Sequence, residues 1–438
     1  MRRDKSEDTL LYKYKIREYK AMRTVYGMVI ICMMLVVMPA SASDLLEVFG
    51  NANMDNTIDE KDVAYVEGVI KGKNAATNLS DANYDGKIDE TDIAQIKQII
   101  QGDEKKLTFI DCDREIVTVN KPIDKIVIAH WSQGEAIRAL GCSNKVVGVC
   151  DNFKDHLIFL PEMYSKPCVG SRFDLDIEAI LNLEPNAIIL GSREWHTPTL
   201  EGNLNGTGIG VVRVNFEPFT CGIEMMKLAY ILDEEDMGRE YYEWQRKYIE
   251  MIQKKVSEIS DDEKPAVFID AMQLNKSKPG TTTYGAETAP NSAIEVVGGK
   301  NIAHDILAGS IVEIDTEAIL ERNPDLIIGR SYEGGYEPDN LALYRSYYDA
   351  LLGVPGFDHL NAVEENRVYI FSHYLIWSLQ YPVGCIYFGK WLHPDLFEDL
   401  DPQKVQQEFI DKFCPGLDFD VQKQGLWVYH PEEHPNGR

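Results

Sequence analysis

The chain has 438 residues, 44% of them hydrophobic and 10% aromatic, enough for two or three packed domains. Its formal charge of −27 would repel nucleic-acid phosphates, which excludes nucleic acid as a partner. The charge is uneven, because residues 1–42 hold eight Lys and Arg against four Asp and Glu, so the remainder is more acidic than the whole.

That basic start leads into an apolar run, Val25–Met38, and then into Pro39-Ala40-Ser41-Ala42-Ser43, small residues spaced as a cleavage site. These are the parts of a secretory signal, and the run is shorter than the roughly 20 residues of a spanning helix. Residues 1–42 are therefore expected to be a signal peptide or signal anchor, with the protein secreted or at the cell surface. Cys32 follows Ile31 rather than a small residue, which argues against a lipoprotein signal. Seven further cysteines are odd in number and scattered, without a C-x-x-C pair, so they form neither a zinc motif nor a disulfide framework. One bridge among Cys142, Cys150 and Cys168 stays open; the rest read as small buried apolar residues.

Residues 49–102 carry a repeat with a 30-residue period. The first copy places Asn51, Asn53, Asp55, Thr57, Asp59 and Asp62 at loop positions 1, 3, 5, 7, 9 and 12; the second places Asp81, Asn83, Asp85, Lys87, Asp89 and Asp92. Position 7 would contribute a backbone carbonyl, and Gly86 at position 6 allows the sharp turn. Such a loop of oxygen donors suits Ca2+, a hard cation. An apolar helix follows each loop, carrying Val63, Val66 and Val69, then Ile93, Ile96 and Ile99. Loop–helix twice, with Asp closing each loop, resembles a dockerin, the calcium-folded EF-hand module that plugs into cohesin domains. The resemblance implies calcium at both loops and a cohesin domain as a partner. The usual partner-choosing positions hold Glu60, Lys61, Glu90 and Thr91, without the common Ser-Thr pair.

From Leu107 the pattern becomes α/β. Strands are expected at Lys125–Ala129, Lys145–Val149, Asn186–Leu190 and Val211–Val214, with a helix over Gln133–Leu140. A long helix runs from about Glu235 to Ser260; further strands follow at Ala266–Ile269, Val312–Ile314, Asp325–Gly329 and Arg367–Phe371. Two segments 139 residues apart nearly match: Asp176-Ile177-Glu178-Ala179-Ile180-Leu181 leads to Pro185 and Ile188-Ile189, and Asp315-Thr316-Glu317-Ala318-Ile319-Leu320 to Pro324 and Ile327-Ile328. A short helix, a proline stop and a buried strand, twice, imply two similar lobes with a cleft between them.

This order, with Gly170-Ser171-Arg172-Phe173 before the first repeat and Val296-Val297-Gly298-Gly299-Lys300-Asn301 before the second, resembles the iron-complex and cobalamin-type substrate-binding proteins of ABC importers. The resemblance implies two Rossmann-like α/β lobes joined by one long helix, the class III substrate-binding architecture, preceded here by the small α-helical dockerin-like EF-hand module. The expected organisation is 1–42 signal, 44–103 calcium module, 107–233 first lobe, 234–260 interlobe helix, 261–413 second lobe and 414–438 a tail wrapping the surface. The resemblance also implies an ABC permease of two transmembrane subunits with its ATPase as partners. Its docking glutamates, one per lobe, carry over to Glu178 and Glu317. No nucleophile–base pair or Gly-rich phosphate loop supports an enzyme. A cobalamin- or oxyanion-binding member, or a two-lobed chelatase-like enzyme, is the alternative.

Ligands of open α/β sheets meet the loops at the carboxyl ends of strands. Those loops nominate His130, Trp131, Arg172, Phe173, Arg193, Trp195, Arg330, Tyr332, His373, Tyr374 and Trp377 as ligand-binding. Arginines suit bidentate anion binding and aromatics suit flat organic faces, so the expected ligand is an anionic metal chelate of the ferric siderophore type.

Overall fold

The computed structural model describes residues 45–438 apart from 194–196, 198, 219, 272–277 and 338–339; the signal segment lies outside the described residues. From Asp44 onward the chain forms one compact unit.

The short apolar runs become two sheets. In the first lobe Val146–Val149, Ile126–Ile128, Ala187–Leu190 and Gly210–Arg213 lie side by side, all parallel. In the second, Lys300–Asn301, Ala266–Asp270, Leu326–Ser331 and Val368–Ser372 are parallel, and Val428–Tyr429 adds an antiparallel edge. The β-branched strand centres are buried on both faces by flanking helices, as parallel sheets require. The C-terminal residues are thus corrected from a surface wrap to part of the second lobe: Trp427 is fully buried and Val428–Tyr429 is a strand. Proline, glycine and charge in that stretch hid a two-residue strand too short to show alternation.

The matching segments are matching structures. Asp176 and Asp315 occupy the N-cap positions of helices Ile177–Leu183 and Thr316–Arg322. Both helices end on a left-handed residue, Glu184 at φ 49° and Asn323 at φ 38°, and Pro185 and Pro324 lead into the next strand. Glu178 and Glu317 sit in the first turns, exposed.

Helix Glu235–Val256 joins the lobes. At 1.5 Å per residue its 22 residues span about 33 Å. Tyr241, buried, contacts Cys221 Sγ of the first lobe at 3.1 Å and donates to the Leu379 carbonyl of the second at 2.7 Å. Trp244 packs on Phe409 and Phe413, and Gln245 Nε2 donates to the Tyr381 hydroxyl.

The repeat at the front forms two loops, each followed by a helix, Glu60–Ile70 and Glu90–Gln101, N-capped by Asp59 and Asp89. Gly86 takes φ +89°, and Asn56, at the equivalent place in the first loop, also adopts a left-handed φ of 67°. This module shares the first lobe's core: Val48, Ile58, Val66 and Ile96 join the same apolar cluster as Ile126, Val127 and Val212. Val48 bridges Phe109, the Ile58 N–H donates to the Tyr230 hydroxyl at 2.9 Å, and Arg239 Nη1 donates to Thr57 Oγ1 at 3.1 Å. Lys121, fully buried, pairs with Glu104 at 2.9 Å and with Asp233, and donates to the Tyr230 carbonyl. The seven cysteines among the described residues are free, five of them buried and Cys168 exposed.

Candidate functional site: the interlobe cleft

Parallel order points the carboxyl ends of both sheets at one another, and a cleft of about 1460 Å³ opens there. Each strand end delivers side chains to it. Ile126–Ile128 is followed by His130 and Trp131, Val146–Val149 by Asp151, Asp155 and His156, and Gly210–Arg213 by Asn215 and Glu217. From the second lobe come Tyr284, Arg330 and Tyr332, then His373, Tyr374 and Trp377 after Val368–Ser372. Arg172 and Phe173 reach the rim from the hairpin Gly170–Ser171/Asp174–Leu175, the guanidinium 4.6 Å from its neighbour's ring.

The floor is an aromatic cluster drawn from both lobes. Trp131 lies 5.2 Å from Tyr374 and 5.9 Å from His373; Phe159 stacks on Tyr336 at 4.2 Å. Hydrogen bonds also cross: His156 Nδ1 to the Tyr374 hydroxyl at 2.5 Å, the Ile158 and Phe159 N–H groups to Glu337 Oε1 at 3.2 Å, and the Leu379 N–H to Glu135 Oε2 at 3.0 Å. His156 was invisible as a site residue in the sequence, because it follows a one-turn 3-10 helix rather than a strand.

The wall on the second lobe carries buried polar atoms without partners. Arg330 is 6% exposed, forms no ion pair among the described residues, and leaves Nε and Nη2 unbonded. Its guanidinium sits in an aromatic box, 3.8 Å from the Tyr332 ring, 5.2 Å from Trp377 and 5.3 Å from Tyr284. The Tyr284 hydroxyl and His373 Nδ1 are likewise buried and unbonded. A buried charge or polar group normally finds a partner, since leaving one bare costs about 1–3 kcal/mol, more for a charge. The rim is different: Asp151, Asp155, Glu217 and Glu287 are exposed there, so carboxylates outnumber the basic groups around the opening. Exposed charges are screened by water and salt, whereas the buried guanidinium is not.

Arg193 is corrected. It does not line the cleft; Asp113 at 3.2 Å and Glu201 at 2.9 Å hold it, and Asp113 also accepts its backbone N–H. Three carboxylates on neighbouring elements, Asp111, Asp113 and Glu201, satisfy Arg193 and the fully buried Arg213 together. Trp195 lies outside the described residues. Tyr374 is 2% exposed and belongs to the floor.

In the front loops the donors are all oxygens or backbone carbonyls, a set that fits a hard divalent cation. Asn51 donates through Nδ2 to the Leu46 carbonyl, and its Oδ1 is buried and bare at loop position 1. Asp62 and Asp92 each accept two backbone N–H groups, and burial raises the Asp62 carboxyl to about 6 and raises Asp92 as well. Among the described residues no three His, Cys, Asp or Glu side chains stand together as a ready metal cluster.

Residues 126–374 match the model of a family described as periplasmic binding protein. An uncharacterized ABC transporter substrate-binding lipoprotein of Bacillus subtilis, YvrC, is 28% identical over 269 residues, 60% of this chain and 77% of that protein. The molybdate-binding protein MolA of Haemophilus influenzae is 20% identical over 332 residues, covering 69% of this chain and 88% of its own. Among solved structures, the TroA-like periplasmic binding protein FepB of Veillonella parvula superposes with a TM-score of 0.62 at 22% identity, over 74% of this chain and 99% of that one. No helix among the described residues is long and apolar enough to cross a membrane.

Burial pushes His156 down to about 4, and burial together with Arg330 pushes His373 down to about 3, from an ordinary 6.5. Between pH 6.5 and 4 the unfolded chain therefore binds protons that the folded chain refuses, and stability falls as pH drops through that window. His156→Gln should remove about 2 kcal/mol of the stability lost between pH 7.5 and pH 5. Urea melts at the two pH values measure it; an unchanged pH 5 deficit would refute the assignment.

Proposed function

The chain belongs to the periplasmic binding protein family, and on that premise we propose that its cleft captures an anionic metal chelate of the ferric siderophore type. Its relatives are substrate-binding proteins of ABC transporters rather than enzymes, so it works outside the cytoplasm with permease and ATPase components.

The observation that carries the ligand reading is Arg330, a buried guanidinium with its Nε/Nη2 edge unbonded in the cleft wall. That edge is the fork which donates two N–H bonds, side by side, to the oxygens of a carboxylate or catecholate. Arg172 supplies a second positive charge at the rim. Trp131, Phe173, Tyr332 and Trp377 offer flat faces to an organic ligand. A cleft of about 1460 Å³ exceeds the 300–1,000 Å³ usual for small-molecule sites, which favours a bulky chelate over a bare oxyanion such as the molybdate of the Haemophilus relative. The acidic rim means that anion selection is local to the buried wall rather than a property of the whole opening.

Glu178 and Glu317 are read as the permease contacts. They are exposed on equivalent helices of the two lobes and lie outside the cleft lining, as two contacts for two symmetric subunits should. The front module is read as a calcium-binding part of the first lobe, with Asn51, Asn53, Asp55, Asp59 and Asp62 in one loop and Asp81, Asn83, Asp85, Asp89 and Asp92 in the other, Thr57 and Lys87 adding carbonyls. Since the first loop faces the lobe through Thr57 and Ile58, a cohesin-type partner would have only the second loop and the outer helix faces.

Arg330→Gln should weaken a ferric catecholate or carboxylate chelate on the order of tenfold to hundredfold, the loss of a charged hydrogen bond of about 1.5–3 kcal/mol. Quenching of Trp131 and Trp377 fluorescence reports the titration. Tight binding of a corrinoid, indifferent to Arg172 and Arg330, would move the ligand to the cobalamin class; binding of bare molybdate alone would discard the aromatic argument.

Replacing Glu178 and Glu317 together by Arg should abolish stimulation of the transporter's ATPase and leave ligand affinity unaltered. A double variant that stimulates normally removes the docking role. Calcium should raise the melting temperature of the full chain and a chelator should lower it, because the carboxylates of each loop oppose folding until a cation binds. Identical melting curves in calcium and in EGTA would end the calcium reading.

A further inference from the structure

The two loops of the front module share a spacing but not a neighbourhood. The second stands in water: Asp85, Gly86 and Lys87 are exposed, and Asp81 accepts the N–H groups of Asp85 and Gly86 within its own loop. The first is built into a seam. Asn51, at loop position 1, is fully buried, and its Oδ1 has no partner. Asn56, at position 6, accepts the Leu46 N–H through Oδ1 at 2.7 Å, which holds its left-handed turn. The lobe holds positions 7 and 8: Arg239 Nη1 donates to Thr57 Oγ1 at 3.1 Å, and the Ile58 N–H donates to the Tyr230 hydroxyl at 2.9 Å. Tyr230 and Arg239 stand on either side of the elbow at Asp233, where helix Cys221–Leu232 turns into the interlobe helix Glu235–Val256. Among the described residues the lobe makes no such hydrogen bond to Lys87 or Ile88, the matching pair of the second loop.

We propose that the first loop is a structural cation site of the binding lobe, where Ca2+ fastens the elbow that feeds the interlobe helix, and that the second loop is an exchangeable surface site. The inference rests on the calcium reading above and adds what the ion acts on. Position 7 gives its carbonyl to the cation, so an ion that fixes Thr57 also fixes the hydroxyl that Arg239 bonds and the following amide that Tyr230 closes over. Ion binding and the seam are then linked, and each strengthens the other by the same factor. The donor sets alone favour the second loop, which has Asp81 where the first has Asn51. The seam reverses that order, because the backbone of the first loop is already held and loses less freedom when the ion arrives.

The test uses the full chain stripped with EGTA. Calorimetric titration with Ca2+ should show two sites, and Asp55→Ala/Asp59→Ala should remove the tighter one, Asp85→Ala/Asp89→Ala the weaker. Arg239→Ala with Tyr230→Phe should weaken the tighter site on the order of tenfold and leave the weaker unchanged. All six tryptophans lie outside the module, so their fluorescence follows the lobes alone in a thermal melt. The rise in that melting temperature with Ca2+ should survive Asp85→Ala/Asp89→Ala and vanish in Asp55→Ala/Asp59→Ala. The Arg239/Tyr230 variant keeps every calcium donor, so it tests the linkage even if the loop variants fold poorly. Calcium affinities unchanged in that variant overturn the inference, as does a lobe melting shift that disappears with the second loop rather than the first. In both cases the calcium reading stands. If the wild type takes up no Ca2+ in the calorimeter, the calcium reading falls and this inference with it.

Discussion

The hydroxyl of Tyr241 is the point at which the two lobes are tied. It sits about a third of the way along the helix Glu235–Val256 that joins them, contacts Cys221 on one side and donates to the Leu379 carbonyl on the other. Leu379 in turn donates its N–H to Glu135 of the first lobe, a fully buried carboxyl that burial raises to about 8. A buried polar chain of this kind is stable only when its members stay paired, so the lobes cannot separate at this end without stranding polar atoms in an apolar core. The geometry of the cleft follows. Both sheets keep their carboxyl ends aimed at the same volume, and adjustment is left to side chains at the rim, where Phe173 and Tyr332 are exposed.

Such a fixed cleft holds its unmet hydrogen bonds in place. Arg330, Tyr284 and His373 come from three segments that are separate in sequence, yet their bare atoms share one wall. The aromatic rings around Arg330 supply attraction of the cation–π kind, roughly 0.5–2 kcal/mol, which offsets part of the cost of burying an unpaired charge. A ligand that bonded these atoms would relieve the remainder and so concentrate its affinity there.

Much of this was legible in the residues. The strands at Ile126, Ala187, Ala266, Leu326 and Val368 announce themselves as short β-branched runs, and the paired Glu-Ala-Ile-Leu helices expose the internal duplication. Strand ends then nominate loops, which located Trp131, Arg330, His373 and Trp377 in the cleft lining. The failures have a common cause: sequence gives the position of a charge but not its partner. Arg193 follows the strand Ala187–Leu190, and Arg330 lies near the end of Leu326–Ser331, but Asp113, eighty residues earlier in the chain, claims Arg193. His156 enters the cleft because a short 3-10 turn re-aims the chain, and no periodicity marks that. The edge strand at Val428–Tyr429 is set by its neighbour Ile370–Phe371 rather than by any pattern of its own.

The seam between the front module and the first lobe bears on the order in which the chain can assemble. The loop and helix containing Ile58 and Val66 emerge early, but Tyr230, which closes over the Ile58 amide, lies 172 residues further on. Until that stretch arrives, the module has an open apolar flank, and the buried Lys121, already paired with Glu104, lacks its second carboxylate, Asp233. Closing so long a loop is slow compared with local helix formation. The module thus has its local partners within reach early, whereas its seam with the lobe can close only once residue 230 is in place.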